Sequence, residues 1–158
     1  MTYPTIYPSR FDGTANDFLK CKVDRSGAAR LIEESVTIPA STTAPANIGL
    51  HPFRKGARLS YASSVRVTDL DTASNAVIDL GWVYKDNDTV TYINDTDGFV
   101  DGSTHAIAGG IIALNVQGAS AGYDFVALAD GWFIAQVEAG PTTTAGTIKT
   151  HLIVSYDS

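Results

Sequence analysis

Cysteine is almost absent. Cys21 is the only one in 158 residues, so no internal disulfide can staple the chain, and a disulfide-dense secreted scaffold is excluded. Such cysteine use fits a reducing cytoplasm, and one thiol cannot supply a cysteine-built zinc site. Long apolar runs are missing as well. No stretch reaches the roughly 18 apolar residues of a membrane-spanning helix, so no membrane partner is expected. The opening MTYPTIYPSRFDG has no basic region followed by an apolar core, and no cleaved leader is expected. Basic residues are few: 11 Lys and Arg against 17 Asp and Glu leave a formal net charge of -6. Phosphate binding needs a concentrated positive surface, so nucleic acid is not the expected partner. The three histidines, His51, His105 and His151, are too far apart in sequence to show metal-ligand spacing. Neither a metal nor a cofactor is expected.

What is present describes one folded domain. Hydrophobic residues make up 44% and charged residues 18%, which is globular composition, and the length suits a single core. The charge is unevenly placed. Residues 1–66 hold nine of the eleven basic residues against five acids, a balance of +4, whereas residues 67–158 hold two against twelve, a balance of -10. Different surroundings for the two parts are expected. Residues 1–17 read as an extended arm punctuated by Pro4 and Pro8, with no helical period. Tyr3, Ile6, Tyr7 and Phe11 are costly to leave in water, which points to an arm lying on a neighbouring subunit. Residues 18–158 form the single β-sandwich domain that follows.

Period two dominates from there, the mark of half-buried strands. Strands are expected over 18–23, 29–38, 48–50, 57–67, 76–84, 89–93, 104–116, 125–128, 132–137 and 147–156. In the last, Ile148, Thr150, Leu152, Val154 and Tyr156 share one face and Lys149, His151 and Ser155 the other, with Ile153 the exception. Asp97-Gly98, Asp101-Gly102 and Asp130-Gly131 have turn chemistry. The one helix candidate, 27–35, is short and flanked by strand-like sequence. The fold class is therefore all-β: an antiparallel β-sandwich, jelly-roll-like, with an extended N-terminal arm.

Four constellations invite a chemical reading. GASAG at 118–122 matches the G-x-S-x-G pattern around Ser120, with Asp130 and His151 following in triad order. That motif needs a strand entering and a helix leaving, and YDFVALADGW leaves as strand and turn, so a hairpin loop is the better reading and no catalytic residue is assigned. Asp86, Asp88, Asp95, Asp97 and Asp101 form an oxygen-rich stretch of the kind that holds Ca²⁺. The EF-hand register fails, because aligning Gly98 with the loop glycine puts Ile93 at the first ligand position. Trp82, Trp132, Tyr84, Tyr92 and Tyr123 offer aromatic faces for sugars, although aromatics on alternating strands more often build a core. Ala108-Gly109-Gly110 runs into strand sequence, not into a helix, and makes no phosphate loop.

Residues 36–84 run as a VTIP strand, an ASTTAP loop, an IGL strandlet, HPFRKGARL, and a strand ending in a DTAS turn before AVIDLGW. This order resembles the small auxiliary structural proteins of tailed-bacteriophage virions, the cement or decoration proteins of the capsid. In that group an IPA-x-TTA segment is followed by KGARL and by D-x-A-S and L-D-L-G. The resemblance covers about a third of the chain and carries no catalytic residue. It implies a non-enzymatic β-sandwich or jelly-roll protein of the virion surface, made in the host bacterial cytoplasm. Such a protein binds the major capsid protein, as a homotrimer, and braces neighbouring subunits of the assembled capsid. Tyr3, Tyr7 and Phe11 of the arm and the basic Arg54, Lys55 and Arg58 are the expected partner interface. The other expectation is a tail or head-fibre component or a carbohydrate-binding receptor module, which the Trp and Tyr content would serve.

Overall fold

The alternating segment at the C-terminal end becomes the central strand of a sheet. A computed structural model describes residues 4–11, 29–72, 75–86, 91–114 and 125–156. Its elements are β1 (Arg30–Ile38), β2 (Ala46–Phe53), β3 (Ala57–Leu59), β4 (Ser64–Val67), β5 (Val77–Tyr84), β6 (Asp95–Ser103), the one-turn helix α1 (His105–Ala108), β7 (Gly110–Ala113), β8 (Gly131–Ala139) and β9 (Gly146–Tyr156). One sheet has the order β1-β9-β4-β7, with β3 also pairing β9, and the other has the order β2-β8-β5-β6. Every pairing between these strands is antiparallel. The two sheets stack as an all-β sandwich.

The burial patterns of the two sheets differ. In β9, Ile148, Thr150, Leu152, Val154 and Tyr156 are buried, while Lys149 and His151 are exposed. Ile153 lies half-buried opposite Leu31 of β1 on the outer face. β5 and β8 are different: Ile78 to Tyr84 and Gly131 to Ala135 are buried without interruption. A strand buried on both faces needs a cover on both, which is why it reads as a continuous apolar run. The inner cover is the core between the sheets, where Phe53, Trp82, Phe99, Phe125 and Phe133 interlock. Phe53 and Phe133 lie 4.6 Å apart, and Trp82 and Phe125 also 4.6 Å, within the usual range for attractive ring pairs.

Several local expectations are overturned. Residues 30–35 of the helix candidate are strand β1, because the side chains alternate against β9. The expected strand 57–67 is two pieces, both paired with β9 and separated at residues 60–63. In this break the Ser60 amide donates to the Ile153 carbonyl, and the Ile153 amide turns to the buried Ser63 hydroxyl (2.8 Å each). Residues 91–93 lie outside any strand, and 104–116 begins with α1, which ends at Gly109 with φ 73° before β7. The connection must cross between sheets there, and a helical turn does so. Asp97-Gly98 and Asp101-Gly102 lie inside β6 and do not form turns. The β5–β6 register slips between Ile78 and Leu80 and again between Leu80 and Trp82, so β6 bulges and absorbs the extra residues. The 125–128 segment makes only one bridge, Val126 to Arg58. The expected strand over 18–23 lies outside the described residues.

Three sheet-crossing connections are tied together at one end. The Thr142 hydroxyl donates to the Pro39 carbonyl (2.9 Å) and accepts the Thr42 amide (2.9 Å). The Thr143 hydroxyl donates to Asp71 (2.9 Å), whose other oxygen accepts the amides of Asn75 and Ala76 (2.7 and 2.8 Å). The hydroxyl-rich segment and Asp71 therefore close the sandwich end, with Asp71 fully buried among its donors.

Gly98 shows how tightly the bulged strand packs. A Cβ there would stand 2.2 Å from the Trp82 ring, and Trp82 is held among Phe99 and Phe125. Gly98→Ala is expected to cost about 1–3 kcal/mol as an overpacking change, read from the urea midpoint. Leu128→Ala at an exposed position (52 % exposed) is expected to stay within about 0.5 kcal/mol.

Candidate functional site

Two surfaces were expected to engage a partner: the N-terminal arm and the basic positions Arg54, Lys55 and Arg58. Within residues 4–11 the arm lies on its own chain. Ile6 pairs in parallel with Ile48 on the edge strand β2, the Thr5 amide donates to the Asn47 carbonyl (3.1 Å), and the Gly49 amide donates to the Ile6 carbonyl (2.7 Å). Beyond this bridge the chain turns over the outer face of the four-stranded sheet. Tyr7 and Phe11 pack on Trp132 at ring separations of 4.9 and 5.4 Å, and with Val83 and Ile134 they form a second apolar cluster. Gly49 makes this approach possible, since a Cβ there would lie 2.9 Å from both the Tyr7 and the Trp132 rings. Phe11 is buried and Tyr7 half-buried. Tyr3 lies outside the described residues.

A polar chain latches the same segment. Arg10 pairs with Glu34 of β1, and Glu34 also meets Nδ1 of His51 on β2 at 3.3 Å. His51 stacks edge-on to Phe11 (5.7 Å). Burial first, and then the nearby Arg10 guanidinium, lower the His51 pKa to about 3, so the ring is neutral at physiological pH. In that state Nδ1–H donates to the Glu34 carboxylate.

Arg54 and Lys55 occupy the β2–β3 turn, at the opposite end of β2 from the Thr-rich loop. Eight strand residues separate the two, roughly 26 Å at 3.3 Å per residue. The Lys55 amide donates to Asp130 (2.9 Å), and the Gly56 amide to the Ala127 carbonyl (2.7 Å). The backbone of the turn is therefore pinned, with Arg54 half-buried and Lys55 exposed. Arg58 is exposed on β3, between Ser155 of β9 and Val126.

The acidic stretch divides. Asp95 lies beside Asp97, and burial first, then Asp97, push the Asp95 pKa up to about 6. Asp101 instead joins Asp79 of β5 and Glu138 of β8, with one oxygen of each within 4.8 Å of the others. Asp79 accepts the Gly102 amide (2.7 Å). Burial, with Glu138, Asp101 and Asp97 adding to it, raises the Asp79 pKa to about 6. Sequence reasoning missed Asp79 and Glu138, because they come from strands far from the acidic stretch. The one available signal was a carboxylate at 79 inside an apolar strand. Three carboxylates are the hard-oxygen chemistry of a cation, although Ca²⁺ takes six to eight oxygens. Asp86 is exposed at the end of β5, and Asp88 lies outside the described residues.

The remaining constellations come apart. Ser120 lies outside the described residues, Asp130 holds the Lys55 amide, and His151 meets Glu33 at 3.0 Å on the exposed face of β9. β8, which follows this segment, belongs to an antiparallel sheet, whereas the nucleophile elbow sits above a parallel one. Trp82, Tyr84 and Trp132 are buried (7, 4 and 0 % exposed), and Tyr92 packs on Tyr84 at 6.0 Å. Trp82, Tyr84 and Trp132 are packed in the interior, and Tyr92 is half-buried against it. Tyr123 lies outside the described residues. His105 faces Ser103 (3.0 Å).

No protein-family model matches the chain, and no curated protein does. Solved structures do. A chain in the capsid of Ralstonia phage GP4 superposes with a TM-score of 0.61 at 20% identity, over 90% of this chain and 94% of that one. A chain in the asymmetric unit of the cyanophage Pam1 capsid superposes with a TM-score of 0.57 at 15% identity, over 91% of this chain and 99% of that one. At such identity the likeness establishes a shared fold.

Two outcomes follow from the geometry. Phe11→Ala is expected to release the arm without unfolding the sandwich, so that hydrogen exchange at the Gly49 amide accelerates while amides in β9 stay protected. For Asp79, a folded pKa near 6 lies above the ordinary carboxylate value. Its stabilising contribution is fully present below about pH 4 and is lost as pH rises through about 6. Asp79→Asn, which keeps an acceptor for Gly102, is therefore expected to raise the urea midpoint at pH 8 and to leave it nearly unchanged at pH 4. His51 has the opposite sign: its contribution is present above about pH 6.5 and is lost as pH falls toward 3.

Proposed function

We propose that this protein is a non-enzymatic structural component of a tailed-phage virion, a cement or decoration protein. It docks on the outer surface of the assembled capsid and braces neighbouring copies of the major capsid protein. The observation that carries the reading is the shared fold, over nine-tenths or more of both chains, with chains of two phage capsid structures. The order of motifs over residues 36–84 also supports it. The strand order adds further support. With β3 and β4 counted as one interrupted strand, β1-β9-β4-β7 against β2-β8-β5-β6 gives eight strands in two Greek keys, which we read as a jelly roll.

In this reading the protein acts as a homotrimer. Three modest contacts with the shell then act together, and multivalency turns them into firm attachment. The basic turn at Arg54 and Lys55, with Arg58 beside it, is the shell-facing element, since its backbone is pinned while Lys55 and Arg58 are exposed. The arm holds the four-stranded sheet closed and presents the half-buried Tyr7 at its margin. The protein is made in the host cytoplasm and works in the virion.

The purified protein is expected to co-sediment with capsids that lack it, and to raise the temperature at which those capsids release their DNA. Arg54→Glu with Lys55→Glu is expected to weaken co-sedimentation about tenfold or more, with the melting temperature of the isolated protein unchanged. Co-sedimentation with tails or fibres and not with capsids would overturn the cement reading.

A further inference from the structure

The outer face of the five-stranded sheet is laid out in rows by its register. One row runs Ser35, Lys149, Arg66, Ile111 across β1, β9, β4 and β7, and the next runs Glu33, His151, Ser64, Ala113. Lys149 and Arg66 are thus directly opposite each other on adjacent strands, both exposed. Like charges so placed destabilise a sheet. Beside them Ile111 is 62 % exposed, and Leu31, on the same face of β1, is 61 % exposed. A chain of net charge -6 therefore holds two cations against each other, flanked by uncovered apolar side chains.

The reverse arrangement lies on β6, the edge strand of the other sheet. Asp97 and Asp101 are exposed there, with Asp95 on the same strand and Asp79 and Glu138 close by. Crowding of like charge is part of what raises the pKa of Asp79 and Asp95. Ile93, just before the strand, is 58 % exposed. Each surface thus combines a close pair of like charges with an exposed apolar residue, and the two signs are complementary.

We propose that these surfaces meet between two copies of the chain: the five-stranded face around Lys149 and Arg66 of one copy docks on the acidic β6 strand of the next. The contact uses different patches on the two partners, so one copy keeps its acidic patch free and the other its basic patch, and repetition gives a ring when the rotation closes. Opposite charges set the register and exclude the like-charged alternatives, while Ile111, Leu31 and Ile93 supply apolar area. The inference deepens the reading above by naming the subunit contact, and it rests on that reading only for the closed trimer.

Light scattering and sedimentation of the purified protein test it. The natural chain is expected to self-associate at low salt, and about tenfold more weakly when salt is raised enough to shorten the screening length to about 3 Å. Arg66→Glu/Lys149→Glu and Asp97→Lys/Asp101→Lys are each expected to be monomeric. An equimolar mixture of the two recovers a heterodimer, because each variant keeps the patch the other has lost. Arg66→Gln/Lys149→Gln, which introduces no new charge and is expected to melt at or above the temperature of the natural chain because it relieves the repulsion, separates loss of contact from loss of fold. A monomeric natural chain, an unchanged mass in either charge-reversed variant, or a mixture that stays monomeric overturns the proposal. If Arg66→Glu/Lys149→Glu keeps its mass but loses capsid co-sedimentation or heparin retention, the face serves the shell or a polyanion and the self-contact is wrong. A chain that associates as described yet never pellets with capsids would sink the cement reading and leave this contact standing.

Discussion

A strand with apolar residues at consecutive positions has no solvent face to offer, and the rest of this structure follows from that. Trp132, Phe133, Ile134 and Ala135 are all buried, two on each side of β8. Phe133 and Ala135 face the core between the sheets, where the aromatic cluster fills the space. Trp132 and Ile134 point the other way and need a cover that the second sheet cannot supply. The N-terminal arm supplies it, through Tyr7 and Phe11. Full burial of a side chain the size of Phe11 is worth about 1.5–3 kcal/mol. The bridge to β2 and the Arg10–Glu34–His51 chain hold the same segment by polar contacts.

The two sheets are therefore chemically unlike. The four-stranded sheet is apolar on both sides along β5 and β8 and is partly roofed by its own chain. The five-stranded sheet is half-buried in the ordinary way, and its outer face carries cations, a histidine paired with Glu33, and exposed aliphatics. The charge split along the sequence maps onto this difference only in part. Arg66 lies in the basic stretch and Lys149 in the acidic one, yet register makes them neighbours, and Asp79, Asp101 and Glu138 converge from three strands.

Much of the architecture was legible in the residues. The alternation over 147–156 specifies a strand with one wet face, and Asp71 with its following small residues is a turn whose amides need an acceptor. The misplaced elements share one cause. Asp97-Gly98 and Asp101-Gly102 have the local chemistry of turns, but a bulged strand against β5 accommodates them because Trp82 needs the space that a side chain at 98 would take. The segment after β6 has enough β-branched and apolar residues for a strand, yet it must first cross between sheets. The arm was legible as apolar surface in need of burial, while its destination was not.

By itself the sequence determined the class: strands of period two, turns, no internal disulfide, and an N-terminal stretch too apolar to stay in water. These are local properties, set by residues a few positions apart, and local sterics and hydration enforce them wherever the strand ends up. Only the tertiary structure decided which strands are neighbours, and so which charges meet. Lys149 opposes Arg66 across 83 positions, and Trp132 accepts Phe11 across 121. Such pairings come from burying a continuous core between two sheets, and no short window of sequence contains the information that selects them.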